Sequence, residues 1–400
     1  MVAAGTDVDT LFDISLDPGA YQRWASPLMV AAGSGDGASI ETVRLLLDLG
    51  ADPGLVVAKD TAVSFASMGL GWNYRPGGDA ARLGLLLKHG AALPPDPEWA
   101  NRCLCDAARA GDEDRVGLLL GVGLSADGLP DPETREHHPG DWQVTATAKP
   151  STPAPAEPDM LVGPREEEWR PLAFEEVVPE VAEVAASSAG PMIVCGYFWP
   201  FARPLMCAAM SGNARLVRLL LERGADPLRR DSEGRTAMYD ATTAEVVGVL
   251  REAGVPLEDV DMYGRTPLIS ALVDPEEDDA RALALLAGGA DPNGSYDRGY
   301  TTFMSAVSSG WGVSMLRCLV DAGADPCAVS ELGWNAFHGA ADRSTGLRHA
   351  TTVREVFRYL LDLGVDINQR NTQGCTPRDL ASMWGNEPQL TVLSELGATS

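Results

Sequence analysis

The sequence predicts an all-α repeat solenoid of stacked helix-turn-helix units, interrupted by one long Pro-rich acidic insertion. Two recurring phrases and their spacing carry this. The first is Leu45-Leu46-Leu47-Asp48-Leu49-Gly50-Ala51-Asp52-Pro53, which returns as Leu219-Leu220-Leu221-Glu222-Arg223-Gly224-Ala225-Asp226-Pro227. It is echoed at 289–293, 323–326 and 364–368. The second precedes it: Ser26-Pro27-Leu28-Met29, Arg203-Pro204-Leu205-Met206 and Thr266-Pro267-Leu268-Ile269. Degenerate copies begin at Thr61, Arg102, Thr236, Thr301, Asn335 and Thr376, nine copies in all. The starts at 203, 236, 266, 301 and 335 lie 33, 30, 35 and 34 residues apart, a period that marks a repeat array.

Each letter of the repeat has a physical reason. Thr or Ser before Pro is an N-cap followed by a proline at the first helical position, where no amide donor is lost. The Leu and paired Ala make a short helix that neighbours can approach closely. A Gly turn follows, as at Ser211-Gly212-Asn213. The Leu triplet belongs to a second helix, and the Gly after it suits a left-handed C-cap. Asp-Pro then opens a turn. One such pair cannot bury its own apolar face, so the copies must stack.

On these two phrases, over 26–127 and 203–400, the chain resembles ankyrin repeat proteins. The resemblance implies short β-hairpin loops between the helix pairs. The family's histidine after the leucine survives only at His338, with Met29, Met206 and Met304 in three other copies.

The expected organisation is about three N-terminal repeats in 1–127, a Pro-rich acidic linker at 128–168, a degenerate repeat at 169–202, and about six C-terminal repeats in 203–400, the last a polar cap. Extra residues between the two helices occur near 33–37, 70–78 and 342–352, where insertions can mark a binding edge.

Composition narrows the function. Asp and Glu number 57 against 31 Lys and Arg, a net charge of −26. That excess opposes nucleic-acid and anionic-membrane binding and favours basic partners. The longest apolar stretch, Pro191–Phe201, is too short to span a bilayer. The seven cysteines do not form a disulfide framework, and the N-terminus lacks a basic start, so a cytoplasmic protein is expected.

No nucleophile-elbow, zincin or P-loop motif occurs. Cys103-Leu104-Cys105 has no second ligand pair, so neither metal nor cofactor is expected. The residues left for catalysis are Asp106 and Asp240, which share one repeat position, and His349 beside Arg343 and Arg348 in an insertion.

In the ankyrin family, partners are held by the hairpin tips and inner helices. Carried onto this sequence, the tips give Arg235, Met262, Tyr263, Arg265, Arg298, Tyr300 and Trp334. These residue types dominate binding hot spots. Two readings follow. One is a non-catalytic scaffold that presents a concave surface and hairpin tips to a protein or peptide. The alternative is an adapted enzyme or small-ligand binder, with a pocket between the inner helices and the insertions. Nothing in the sequence indicates oligomerisation.

Overall fold

A computed structural model describes residues 7–14, 24–33, 40–68, 79–129, 203–273, 279–342, 347 and 350–399. Among these are 17 α-helices and two two-stranded hairpins. The expected linker beyond residue 129, the expected repeat at 169–202 and most of the three insertions lie outside the described residues. The chain divides into two compact units, one holding residues up to Cys103 and the other holding 104–128 and 202–400.

The first unit opens with strand β1 (Phe12–Asp13) paired antiparallel to β2 (Trp24–Ala25). Helices α1 (Pro27–Gly33), α2 (Ile40–Asp48), α3 (Ala62–Met68) and α4 (Ala80–Lys88) follow. A Cβ on Gly33 would stand 3.0 Å from the Phe65 ring, so glycine permits the close approach of α1 and α3. Helix α5 (Pro97–Arg109) starts well before the repeat start read at Arg102. The reason is local: the Asp96 carboxylate accepts from Glu98 N at 3.0 Å, and Pro97 takes the first helical position.

The second unit carries the end of α5, then α6 (Glu113–Gly121), α7 (Pro204–Ser211) and α8 (Ala214–Glu222). After them come a 3-10 turn at Ala237–Asp240, α9 (Ala244–Glu252), α10 (Pro267–Val273) and α11 (Ala280–Ala287). Hairpin β3 (Ser295–Tyr296) with β4 (Tyr300–Thr301) leads into α12 (Thr302–Ser309) and α13 (Val313–Asp321). The last helices are α14 (Ala336–Ala341), α15 (Ala350–Asp362), α16 (Pro377–Trp384) and α17 (Glu387–Glu395). The copy at Thr236 makes only the four-residue 3-10 turn, with no side-chain cap.

The core follows the repeat letters. The alanine pairs Ala208-Ala209 and Ala340-Ala341 are wholly buried. In the leucine triplets the middle residue faces inward: Leu46, Leu86, Leu119 and Leu220 are buried. Leu45, first in its triplet, is 57% exposed. Burying each such leucine contributes roughly 1.5–3 kcal/mol. Gly224, at φ +94°, takes the left-handed C-cap that the phrase requires.

The repeat ending near 128 docks directly on the repeat that starts at 203. Asn213 Nδ2 donates to Gly111 O at 3.0 Å and to Glu113 Oε1 at 3.1 Å. Asp127 accepts from Asp226 N at 3.1 Å and pairs with Arg229. The repeat ending near 128 and the repeat that starts at 203 are therefore in direct contact.

Successive turns share one kind of bond. A side-chain oxygen of one turn accepts a backbone N–H from the next: Glu258 from Asp291 at 2.9 Å, Asn293 from Asp325 at 2.8 Å and Asn368 from Thr399 at 2.7 Å. A second kind of bond links the inner element to the following hairpin in two repeats. His338 Nδ1 accepts from Asn335 N at 3.2 Å, which places its proton on Nε2, and Nε2 reaches Cys375 O at 3.2 Å. Burial pushes the His338 pKa down and keeps the ring neutral. Tyr239 stands at the same repeat position, and its hydroxyl donates to Arg265 O at 2.7 Å and Asp259 O at 2.9 Å. The histidine's bridging role is thus carried by a tyrosine in a second repeat.

Tyr239→Phe removes the hydroxyl that reaches Asp259 O and Arg265 O, of which Arg265 O keeps Asp261 N as a donor, so it should lower stability by about 1–2 kcal/mol. Urea unfolding with an unchanged m-value checks this.

Candidate interaction surface

The hairpins are built by a short acceptor at their first position. Asp231 Oδ1 accepts from Glu233 N and Arg235 N, both at 2.9 Å. Asp261 Oδ1 does the same for Tyr263 N at 2.8 Å and Arg265 N at 2.9 Å. Asn371 Oδ1 repeats the pattern with Gln373 N and Cys375 N. Adjacent tips are joined by backbone bonds: Met262 N to Glu233 O at 2.8 Å, Glu331 N to Arg298 O at 2.9 Å, and Thr372 N to Leu332 O at 2.9 Å. The β3–β4 hairpin differs, because Asp297, Arg298 and Gly299 all take positive φ.

At that odd hairpin the junction with the preceding tip is made by side chains. The Arg265 guanidinium lies 4.9 Å from the Tyr263 ring centre and 5.7 Å from that of Tyr296. Tyr296 meets Tyr300 edge-on at 6.0 Å, Tyr300 meets Trp334 edge-on at 6.5 Å, and Trp334 stacks on His338 at 5.9 Å. One row of rings and a cation thus crosses three repeats. Such contacts add about 0.5–1.5 kcal/mol each beyond burial.

The structure sorts the residues expected at the tips. Met262 is 64% exposed and Tyr263 52% exposed. Arg298 is exposed at its tip, while Arg265, Tyr300 and Trp334 are half-buried. Arg235 is ion-paired with Asp231 at 2.8 Å and Glu233 at 3.6 Å. Tyr296 and His338 join the row although sequence reasoning left them out of the surface. The signal for Tyr296 was its place across a hairpin from Tyr300.

Tyr300 depends on a glycine. A Cβ on Gly339 would lie 2.5 Å from the Tyr300 hydroxyl, so the ring reaches across the inner face only because residue 339 has no side chain. Burial pushes the Tyr300 hydroxyl pKa up, and its hydrogen bond with Ser308 offsets part of that.

Among the catalytic candidates, His349 lies outside the described residues, and Asp106 is half-buried on α5. Asp240 ends the 3-10 turn, and burial pushes its carboxyl up to about 6. The charges of Arg235, Arg281 and Arg109 pull it down, and that of Asp231 pushes it up. A crevice of about 10 Å³, room for roughly one water, is lined by Ala126, Asp127, Arg203, Leu205, Met206, Asp226, Arg229 and Ala237. It holds neither Asp106 nor Asp240. Among the described residues no cluster of His, Cys, Asp and Glu could hold a metal ion.

Comparison with known proteins gives family-model matches for an ankyrin repeat at residues 24–57 and for three ankyrin repeats at 205–295. The E3 ubiquitin-protein ligase KEG of Arabidopsis thaliana is 30% identical over 190 residues, 46% of this chain and 9% of that protein. A putative ankyrin repeat-containing protein of Treponema pallidum is 30% identical over 141 residues, 34% of this chain and 46% of that one. The chain spans less than half the length of these curated relatives. Among solved structures, an ankyrin repeat domain from Acinetobacter baumannii is 26% identical, with a TM-score of 0.38, over 49% of this chain and 98% of that one. The ankyrin repeat domain of Bcl-3 is 27% identical at the same TM-score, over 48% of this chain and 82% of that one.

Gly339→Ala should displace Tyr300 and alter the fluorescence of Trp334, and Tyr300→Phe in the same chain should restore it. An unchanged spectrum in the single variant contradicts the account. Asp240 gives a pH prediction. Its folded-state value lies above the ordinary aspartate value of 3.8, so folding takes up a proton between about pH 4 and pH 6. Stability contributed by this residue therefore falls as pH rises through that window. Asp240→Asn should melt higher than the parent at neutral pH, with the difference shrinking toward pH 4. A pH-independent difference would contradict it.

Proposed function

This chain is an ankyrin repeat protein, and we propose that it is a non-catalytic scaffold that holds a protein or peptide partner along its hairpin tips. Ankyrin repeats are in general protein–protein interaction modules. The observation that carries the reading is the continuous row Tyr263, Arg265, Tyr296, Tyr300, Trp334 and His338, with Met262 and Tyr263 exposed at its edge. Half-buried members fix the shape of the edge, and exposed members are left to meet a partner.

The partner proposed is a protein whose surface is basic on balance, drawn by the net charge of −26. The proposed location is the cytoplasm. Among the described residues no helix is long and apolar enough to cross a membrane. The alternative, a small-ligand or catalytic groove, would centre on Asp240.

Affinity capture from the native cell's lysate separates the two. A protein retained in stoichiometric amount by the parent should fall about tenfold or more with Met262→Ser/Tyr263→Ser, in line with the loss of an exposed aromatic hot spot. It should be retained fully by Asp240→Asn. Retention unchanged in the tip variant overturns the proposal.

A further inference from the structure

We infer that Arg265 is an anchor for a carboxylate: it takes the side chain of an Asp or Glu that neighbours an apolar residue in the partner. The inference deepens the interaction reading above and rests on it.

The fold supplies an internal control. Arg235 and Arg265 occupy the same position in consecutive repeats, one residue before Thr236 and Thr266. Each follows an aspartate four residues earlier, and both backbone amides are held by that aspartate. Their side chains differ. Arg235 turns back on its own hairpin, with Nε 2.9 Å from Asp231 Oδ2, and its charge is matched there. Arg265 leaves Asp261, and its guanidinium lies against the rings of Tyr263 and Tyr296, 4.9 Å and 5.7 Å from their centres. Among the described residues no carboxylate pairs with it, and its buried Nε has no hydrogen-bond partner.

The cause is the residue two places earlier. Glu233 sits within ion-pair distance of Arg235, at 3.6 Å. The equivalent residue beside Arg265 is Tyr263, which offers a ring face instead. A guanidinium packed against rings keeps its edge for hydrogen bonding. That edge is a planar fork that matches a carboxylate. Against the rings it is also partly stripped of water and loses little freedom when the fork is engaged.

The surroundings limit the ligand. Met262 and Tyr263 form an exposed apolar shelf beside the fork, which suits an apolar residue next to the acid. The chain's net charge of −26 repels a strongly acidic partner at long range. The ligand is therefore a single carboxylate on a partner that is neutral or basic as a whole.

The test uses the full chain and three pools of short immobilised peptides with randomised flanks. Each pool has a fixed leucine next to Glu, Gln or Lys. The Glu pool should retain the parent chain about tenfold better than the Gln pool, as expected for a hydrogen-bonded charge pair. Arg265→Gln should abolish that preference. Arg265→Lys, which keeps the charge but loses the fork and its stacking, should weaken it. The Arg265→Lys result decides if Arg265→Gln melts well below the parent. Equal or better retention by the Gln or Lys pool, lost in Met262→Ser/Tyr263→Ser but not in Arg265→Gln, overturns the carboxylate anchor and leaves the interaction edge standing. Retention indifferent to the tip variant in every pool overturns both.

Discussion

The structure depends on bonds that each repeat cannot make within itself. A helix pair of this length leaves one apolar face and several backbone groups unsatisfied. Both are met by the neighbour. The Tyr239 hydroxyl and His338 Nε2 reach carbonyls of the following hairpin, and Glu258, Asn293 and Asn368 cap amides of the following turn. Wherever these contacts can form, two units stack, whatever lies between them in sequence. This explains the junction at 128 and 203. Asp127 and Asn213 make, across 99 and 102 residues of sequence, the same kinds of bonds that other turns make across 31 to 33.

The aromatic row begins at a junction with different geometry. Elsewhere a tip amide donates to the preceding tip, as Met262 does to Glu233. The β3–β4 hairpin has its own turn geometry, with positive φ at Asp297, Arg298 and Gly299. There the contact between neighbouring tips passes to Tyr263, Arg265 and Tyr296. A departure from the regular backbone pattern thus concentrates rings and a cation on one edge.

Much of the fold was legible because the repeat letters report backbone needs. Gly224 marks a left-handed C-cap, Pro204 and Pro267 mark first helical positions, and Ala208-Ala209 marks close helix approach. The start of α5 was misplaced because Asp96-Pro97 does the work of Thr-Pro with different letters. Tyr239 escaped notice as the partner of the histidine position because the two side chains share a reach and a donor, not a residue type. The surface was legible only as a set of tip positions. Which tips are exposed, which are packed and which arginine is ion-paired depends on side chains from neighbouring repeats. Tyr263 in place of Glu233 redirects Arg265, and Gly339 makes room for Tyr300 from the next repeat.

Backbone and side chain have separate roles at the residue before each first helix. Its backbone is wholly committed. Arg265 N is bonded to Asp261, and its carbonyl accepts from Asp261 N and the Tyr239 hydroxyl. Cys375 is held in the same way by Asn371 and His338. These bonds ask nothing of the side chain at that position, so Arg, Trp and Cys can all occupy it on the same scaffold. The side chain is then free to be set by its neighbours along the edge. That separation lets a row of near-identical units present a row of different side chains along one edge.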